Sequence, residues 1–175
     1  MQGCMSSMIG NQDIELSKGL RQLKEEHPSL LKQLENLLFT CNRIDANDER
    51  EEAFTSLIDQ VKAFFHELEP HSEREEGVLF PMMETYIGKE MGPIAVMEYE
   101  HDQAKECIGT FLKATNNKSE FTNEEIIKYS HVIKNAYYIL VDHFAKEENI
   151  LFPMAEKLLK VEEKEDLFIR INEIK

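Results

Sequence analysis

The residues in this chain best equipped for chemistry are histidines and glutamates, and they recur. An eleven-residue phrase occurs twice, as HSEREEGVLFP from His71 to Pro81 and as HFAKEENILFP from His143 to Pro153, with six of its eleven positions identical. Each copy places a glutamate four residues after a histidine: Glu75 after His71, and Glu147 after His143. Four residues turn an α-helix by about 400°, so the two side chains stack on one face, one turn apart. A His-Glu pair in that geometry can hold a metal ion. Two pairs call for two ions, or for one site built by two halves.

Each copy also has a histidine upstream, His27 in EEHPS and His101 in YEHDQ. The step from His27 to His71 is 44 residues and that from His101 to His143 is 42. The repeat is therefore a whole half, a helix carrying His followed by a helix carrying His-x-x-x-Glu, and that half is a helical hairpin. In a bundle each of the four helices then contributes one histidine to the interior, and the second and fourth add a glutamate. The set is His27, His71, Glu75, His101, His143 and Glu147. Divided evenly it gives two histidines and one carboxylate per ion, a donor type that suits non-haem iron with open positions; manganese and zinc stay open on ligand identity alone. Each glutamate has two oxygens, so Glu75 and Glu147 could bridge a pair of ions. A lone histidine on an apolar face is usually a satisfied core residue. Burying four imidazoles and two carboxylates with nothing between them would leave several desolvation penalties uncompensated.

The elements that must position these groups are legible as apolar stripes at helical spacing. Residues 1–12 read as a flexible tail and 13–175 as one domain. Helix one is expected from about Asp13 to Arg43, with Pro28 kinking or breaking it around Lys24 to His27. Helix two is expected from Glu51 to Tyr86, with Pro70 and Pro81 inside it. Gly88 and Gly92-Pro93 end it and open helix three, Pro93 to Ala114. Thr122 with Glu125 forms a capping box ahead of helix four, Asn123 to Lys160. Pro81 and Pro153 predict matched bends at the two LFP positions, whose Leu and Phe are expected to pack and seal one end of the site. A last amphipathic helix, Glu162 to Ile174, should cross one end. No β-type alternation appears. The fold class expected is all-α, an up-down-up-down four-helix bundle with an extra C-terminal helix.

Other polar candidates are set aside. His66 and His131 have no counterpart in the other half. Glu76 and Glu148 directly follow the pair glutamates; they could support the ligands from behind, but a solvated face is the expectation. Cys41 and Cys107 read as buried thiols. Tyr99 and Tyr137 or Tyr138 could reach the site or a channel.

Composition narrows the function class. The formal net charge of −14 over 175 residues argues against nucleic-acid and anionic-membrane partners. Three widely spaced cysteines and no C-x-x-C argue against a disulfide framework and fit a reducing cytoplasm. No apolar run is long enough to cross a bilayer, and MQGCMSSM lacks the apolar stretch of a signal peptide.

The doubled H-x-x-x-E-E-x-x-L-F-P phrase with its upstream histidines resembles the hemerythrin-like HHE cation-binding family, over about residues 13 to 160. The resemblance implies a pair of non-haem iron ions, oxo- or hydroxo-bridged, that meets a small diatomic ligand (O2 or NO) or peroxide. Oxygen-carrying members have a fifth histidine four residues after the one on helix three, where this chain has Lys105. They also use an aspartate five residues after the last histidine, where this chain has Glu148. Four histidines and two glutamates look more like the di-iron proteins implicated in iron-sulfur-cluster repair. That group often carries a small cysteine-containing N-terminal domain, which this chain is expected to lack.

The reading expected is a cytoplasmic di-iron binding protein used for sensing, scavenging, iron handling or iron-centre repair. A di-iron oxidase or peroxide-reducing enzyme, or an oxygen store or carrier, is the alternative. A ferritin-like carboxylate bundle fits less well, because that class has more carboxylates than histidines. A metal-free interaction module rests only on the acidic surface and the terminal helix. The oligomeric state is left open, a homodimer included.

Overall fold

The computed structural model describes residues 14–175, and the tail expected at 1–12 lies outside them. Among the described residues there is no strand. Helix α1 spans Lys18–Asp45, and its buried positions Leu20, Leu23, His27, Leu30, Leu34, Leu37, Cys41 and Ile44 repeat every three or four residues. It begins at Lys18 rather than near Asp13. The chain before it is held another way: the Ser17 backbone N–H donates to Glu156 at 2.7 Å, and Leu16 is buried from the non-helical chain. The break expected at Pro28 does not occur, and α1 runs through it. Pro28 and Lys24, whose carbonyl loses its donor, are both exposed, so water can serve that carbonyl.

Helix α2 (Arg50–Arg74) passes through a π turn (Glu75–Leu79) into α3 (Phe80–Ile87). Helix α4 spans Pro93–Thr115. Helix α5 (Asn123–Lys146) passes through a second π turn (Glu147–Leu151) into α6 (Phe152–Leu158), and α7 covers Val161–Ile171. The Thr122–Glu125 capping box is formed. At the two LFP positions, where matched bends are expected, each rod widens into a π turn and continues. The amides of Phe80 and Phe152 donate to the carbonyls of Glu75 and Glu147, five residues back. Pro81 and Pro153 have no N–H for Gly77 and Asn149, and a widened turn accommodates each proline ring without ending the rod.

Helix α1 packs against α2 and α5, and α4 packs against α5 and α2, so the four long rods close around a shared interior. Helix α7 lies against α1 and the first π turn. Gly19 makes room for it, since a Cβ there would sit 3.0 Å from Leu167 Cγ. Of the apolar face expected on α7, Leu167 and Ile171 are buried, whereas Phe168 and Ile169 are exposed.

The interior is two hydrocarbon cores with a polar layer between them. One core holds Leu30 to Ile44 of α1, Ala53 to Leu68 of α2, Ala104 to Phe111 of α4 and Ile126 to Phe144 of α5. The other holds Leu16, Leu20, Leu23, Val78 to Met83, Ile94, Met97, Leu151 to Leu159, Leu167 and Ile171. Each long rod crosses from one core to the other at its histidine. Among the described residues no helix is long and apolar enough to cross a membrane.

Candidate metal centre

The structure brings the six singled-out residues together in that layer, all of them buried. They form two groups that share both glutamates: His27, His71, Glu75 and Glu147, and Glu75, His101, His143 and Glu147. Within each group one ligand atom per residue lies within 4.8 Å of all the others. Glu147 stands 2.8 Å from His143 Nε2 and 3.2 Å from His27 Nε2. Glu75 stands 3.6 Å from His71 Nε2 and 3.4 Å from His101 Nε2. Each glutamate thus faces the histidine one turn before it and a histidine of the other half.

The rings are oriented from behind. Each Nδ1 meets a carboxylate: His27 with Glu148 at 2.8 Å, His71 with Glu26 at 2.7 Å, His101 with Glu76 at 2.6 Å and His143 with Glu100 at 3.0 Å. An ionised carboxylate only accepts, so Nδ1 carries the proton and donates. A neutral ring with its proton on Nδ1 then points a bare Nε2 lone pair into the layer. The Nε2 atoms of His27, His71 and His143 and all four oxygens of Glu75 and Glu147 are buried without a hydrogen-bond partner. Left so, each such group costs about 1–3 kcal/mol. A cation between them satisfies them together, and the donor set suits a metal centre.

The electrostatics are those of carboxylates that require positive charge. Burial alone would raise the pKa of Glu147, but the positive charge that the neighbouring imidazoles carry when protonated, His143 foremost, outweighs it and holds the carboxyl far below its usual range. Burial would lower His101, yet the carboxylates of Glu75 and Glu76, at 3.4 and 2.6 Å from its ring nitrogens, leave it raised to about 10. Burial likewise opposes the drop at Glu76, but His101 and Lys105 pull it down to about 2. Protons on the imidazoles here stand where a metal cation would supply the same charge.

The walls are apolar and aromatic. Phe144 stacks on the His27 ring at 4.5 Å between centroids and Phe152 stacks on it at 5.6 Å, while Phe80 tilts against His101 at 5.6 Å. Leu79, Phe80, Leu151 and Phe152 are all buried, so the LFP residues pack as expected.

The reading of Glu76 and Glu148 as a solvated face is corrected: both hold ligand-layer imidazoles. Glu26 and Glu100 do the same and were missed in the sequence. The signal was present, because each precedes a singled-out histidine (Glu26-His27 and Glu100-His101) and each half also carries the Glu-Glu pair. The remaining polar candidates lie elsewhere. His66 is exposed. His131 pairs with Asp45 at the surface, at 3.0 Å. Tyr99 and Tyr138 are exposed, and Tyr137 packs against the first core. Cys41 is a buried thiol as expected, whereas Cys107 is only half-buried.

Comparison with known proteins agrees with this geometry. The iron-sulfur cluster repair proteins YtfE of Escherichia coli O139:H28 (strain E24377A / ETEC), Escherichia coli (strain K12 / DH10B) and Shigella boydii serotype 18 (strain CDC 3083-94 / BS512) are each 31% identical to this chain over 134 residues. The match takes in 74% of this chain and 60% of each relative, so the chain spans about three fifths of their length. The family described as Hemerythrin HHE cation binding domain matches residues 18–165, which include every residue of the buried layer and of the carboxylates behind it. On that match, the chain belongs to the hemerythrin HHE cation-binding domain family.

Proposed function

We propose that the protein binds a pair of non-haem iron ions, one on His27 and His71, the other on His101 and His143, with Glu75 and Glu147 reaching both. One observation carries this reading: the buried Nε2 and carboxylate atoms without hydrogen-bond partners converge in two groups, while every Nδ1 is occupied from behind. Two imidazoles and two carboxylates within reach of each ion favour iron over calcium or magnesium, and would leave room for a small ligand beside it. Iron bound there would supply one-electron redox chemistry and a place for O2, NO or peroxide.

The chain's own residues do the rest. Glu26, Glu76, Glu100 and Glu148 fix the tautomer and tilt of the rings. Phe80, Phe144 and Phe152 exclude water around them. The name of the relatives supports a role in iron-sulfur-cluster repair, and Cys41 and Cys107 as free thiols fit a cytoplasmic setting. A di-iron oxidase or peroxide-reducing activity is separated from a binding role by steady-state consumption of O2 or peroxide with an added reductant.

The test is metal analysis of the purified chain, with anaerobic ferrous titration of the metal-free form. Two irons per chain are expected, and replacing both Glu75 and Glu147 with Ala should abolish uptake. A chain that takes up no iron, or takes up manganese or zinc in preference, overturns the iron assignment.

A further inference from the structure

The two halves are related residue by residue, and the relation fails at one place behind the histidines. His27 corresponds to His101, His71 to His143 and Glu75 to Glu147. The carboxylates follow the same scheme, Glu26 with Glu100 and Glu76 with Glu148. So do two of the cations. Arg74 donates to Glu26 at 3.1 Å, and Lys146, its counterpart in the repeated phrase, pairs with Glu100. Glu76 also has a cation, with Lys105 Nζ at 2.6 and 2.9 Å from its two oxygens. Lys105 lies four residues after His101, and the residue four after His27 is Leu31. Leu31 is apolar and packs against the first core.

Glu148 therefore stands behind His27 with no lysine or arginine of the described residues within 4.0 Å. Its side chain is 29% exposed and borders a hollow of about 540 Å³ that Arg21 and Lys24 also line. Arg21 is turned to Glu15 and to the Leu16 carbonyl instead.

A charge-neutralised carboxylate polarises an imidazole less than a bare one does. The His101 and His143 rings are both backed by carboxylate-cation pairs. On the other side His71 is backed so, but His27 is backed by a net negative charge. More negative charge behind a ligand favours the higher oxidation state of the ion in front of it. From this, and resting on the iron-pair reading above, we propose that the two positions are inequivalent: the position on His27 and His71 is the one oxidised first, from ferrous to ferric, and the ion on His101 and His143 stays ferrous in the half-oxidised protein. Glu148 and Lys105 set the difference, as tuning residues that act through the rings.

Mediated anaerobic electrochemistry of the iron-loaded chain tests this, with the mediator taking one electron at each step. Two separate one-electron steps are expected. Glu148→Gln keeps an acceptor for the His27 Nδ1 proton but removes the charge, and should raise the first potential while moving the second less. Lys105→Met bares Glu76, and should lower the second potential and draw the two steps together. Circular dichroism and melting of the metal-free variants check that the fold is kept. If Glu148→Gln leaves the first potential unmoved or shifts chiefly the second, with two irons still bound, the proposal falls alone. If the parent chain does not take up two irons, the metal reading falls with it.

Discussion

Glu147 and Glu148 are consecutive in the chain and hold opposite nitrogens of one ring, Glu147 at 3.2 Å from His27 Nε2 and Glu148 at 2.8 Å from His27 Nδ1. Glu75 and Glu76 grip His101 in the same way, at 3.4 and 2.6 Å. Neighbouring side chains on a helix diverge by about 100°, so a histidine from the adjacent rod fits between them. Each pair stands at the start of a π turn, and each turn is followed by a proline.

The division of labour within these pairs is testable. On the iron-pair proposal, Glu147→Ala should cut bound iron to about one per chain or below, because the oxygens lost would serve both ions. Glu148→Ala should leave the stoichiometry intact and weaken affinity by about 10- to 100-fold, as loss of a partner behind a metal ligand typically does. Metal analysis after desalting and competition against a chelator separate the two effects. Two irons retained in Glu147→Ala would remove it from the ligand set.

Metal should also report on stability. The layer separates two hydrocarbon cores, and in the metal-free protein its carboxylates face one another across imidazoles. A cation that binds only the folded chain stabilises it by mass action, about 2.7 kcal/mol at a hundredfold excess over Kd. For a chain of this length each kcal/mol moves Tm by roughly 2–4 °C. Anaerobic melting with and without ferrous ion measures it. An unchanged Tm at saturating metal would speak against binding at this layer.

Much of the inner layer was readable because its signal is doubled. Histidine followed by glutamate four residues on fixes a face, and a second copy separates design from the common satisfied core histidine. The carboxylates behind were not read, since a glutamate beside a helical ligand points off its face, and the sequence does not say that a neighbouring rod waits there. Glu26 shows this: it adjoins His27 but holds His71 across the hairpin. Pro28 leaves the helix unbroken for a related reason. Its cost depends on whether the freed carbonyl is buried, and Lys24 is exposed. Leu16 continues the apolar spacing and so extends the helix pattern toward Asp13, although it reaches the core from non-helical chain.

Acid should loosen the segment before α1. Glu156 accepts from the Ser17 backbone N–H at 2.7 Å and from Lys164 at 2.6 Å. Burial pushes its pKa up, but these partners prevail and leave it below the ordinary 4.5. A depressed carboxylate pKa contributes stability that is complete above the unfolded value and is lost as pH falls through the folded one. Stability of the metal-free protein should therefore decline from about pH 5 downward. Glu156→Gln should be less stable near neutrality and show a shallower decline. Melting as a function of pH measures both, and parallel profiles for the two proteins would rule Glu156 out as a source.

Helix α7 is coupled to the metal layer through Arg74, and Gly19 controls how closely it docks. Arg74 donates at 3.1 Å to the carbonyls of Ile171 and Ile174 at the end of α7, and at 3.1 Å to Glu26, the partner of His71. An alanine Cβ at position 19 would lie 3.0 Å from Leu167 Cγ and 3.2 Å from the Phe168 backbone nitrogen. Leu167 is fully buried, so it has nowhere to retreat. Replacing a glycine in the first helical turn gains at most about 1 kcal/mol of helix propensity, while overpacking costs about 1–3 kcal/mol. The clash involves backbone, which places the cost toward the upper part of that range. Gly19→Ala should thus lose about 1 kcal/mol overall. Hydrogen exchange should quicken across residues 161–171. With its carbonyl acceptors displaced, Arg74 should hold Glu26 less firmly, and iron affinity should fall with all four histidines of the layer in place. Faster exchange in α7 with unchanged iron affinity would show that the helix packs on the bundle without reaching the site.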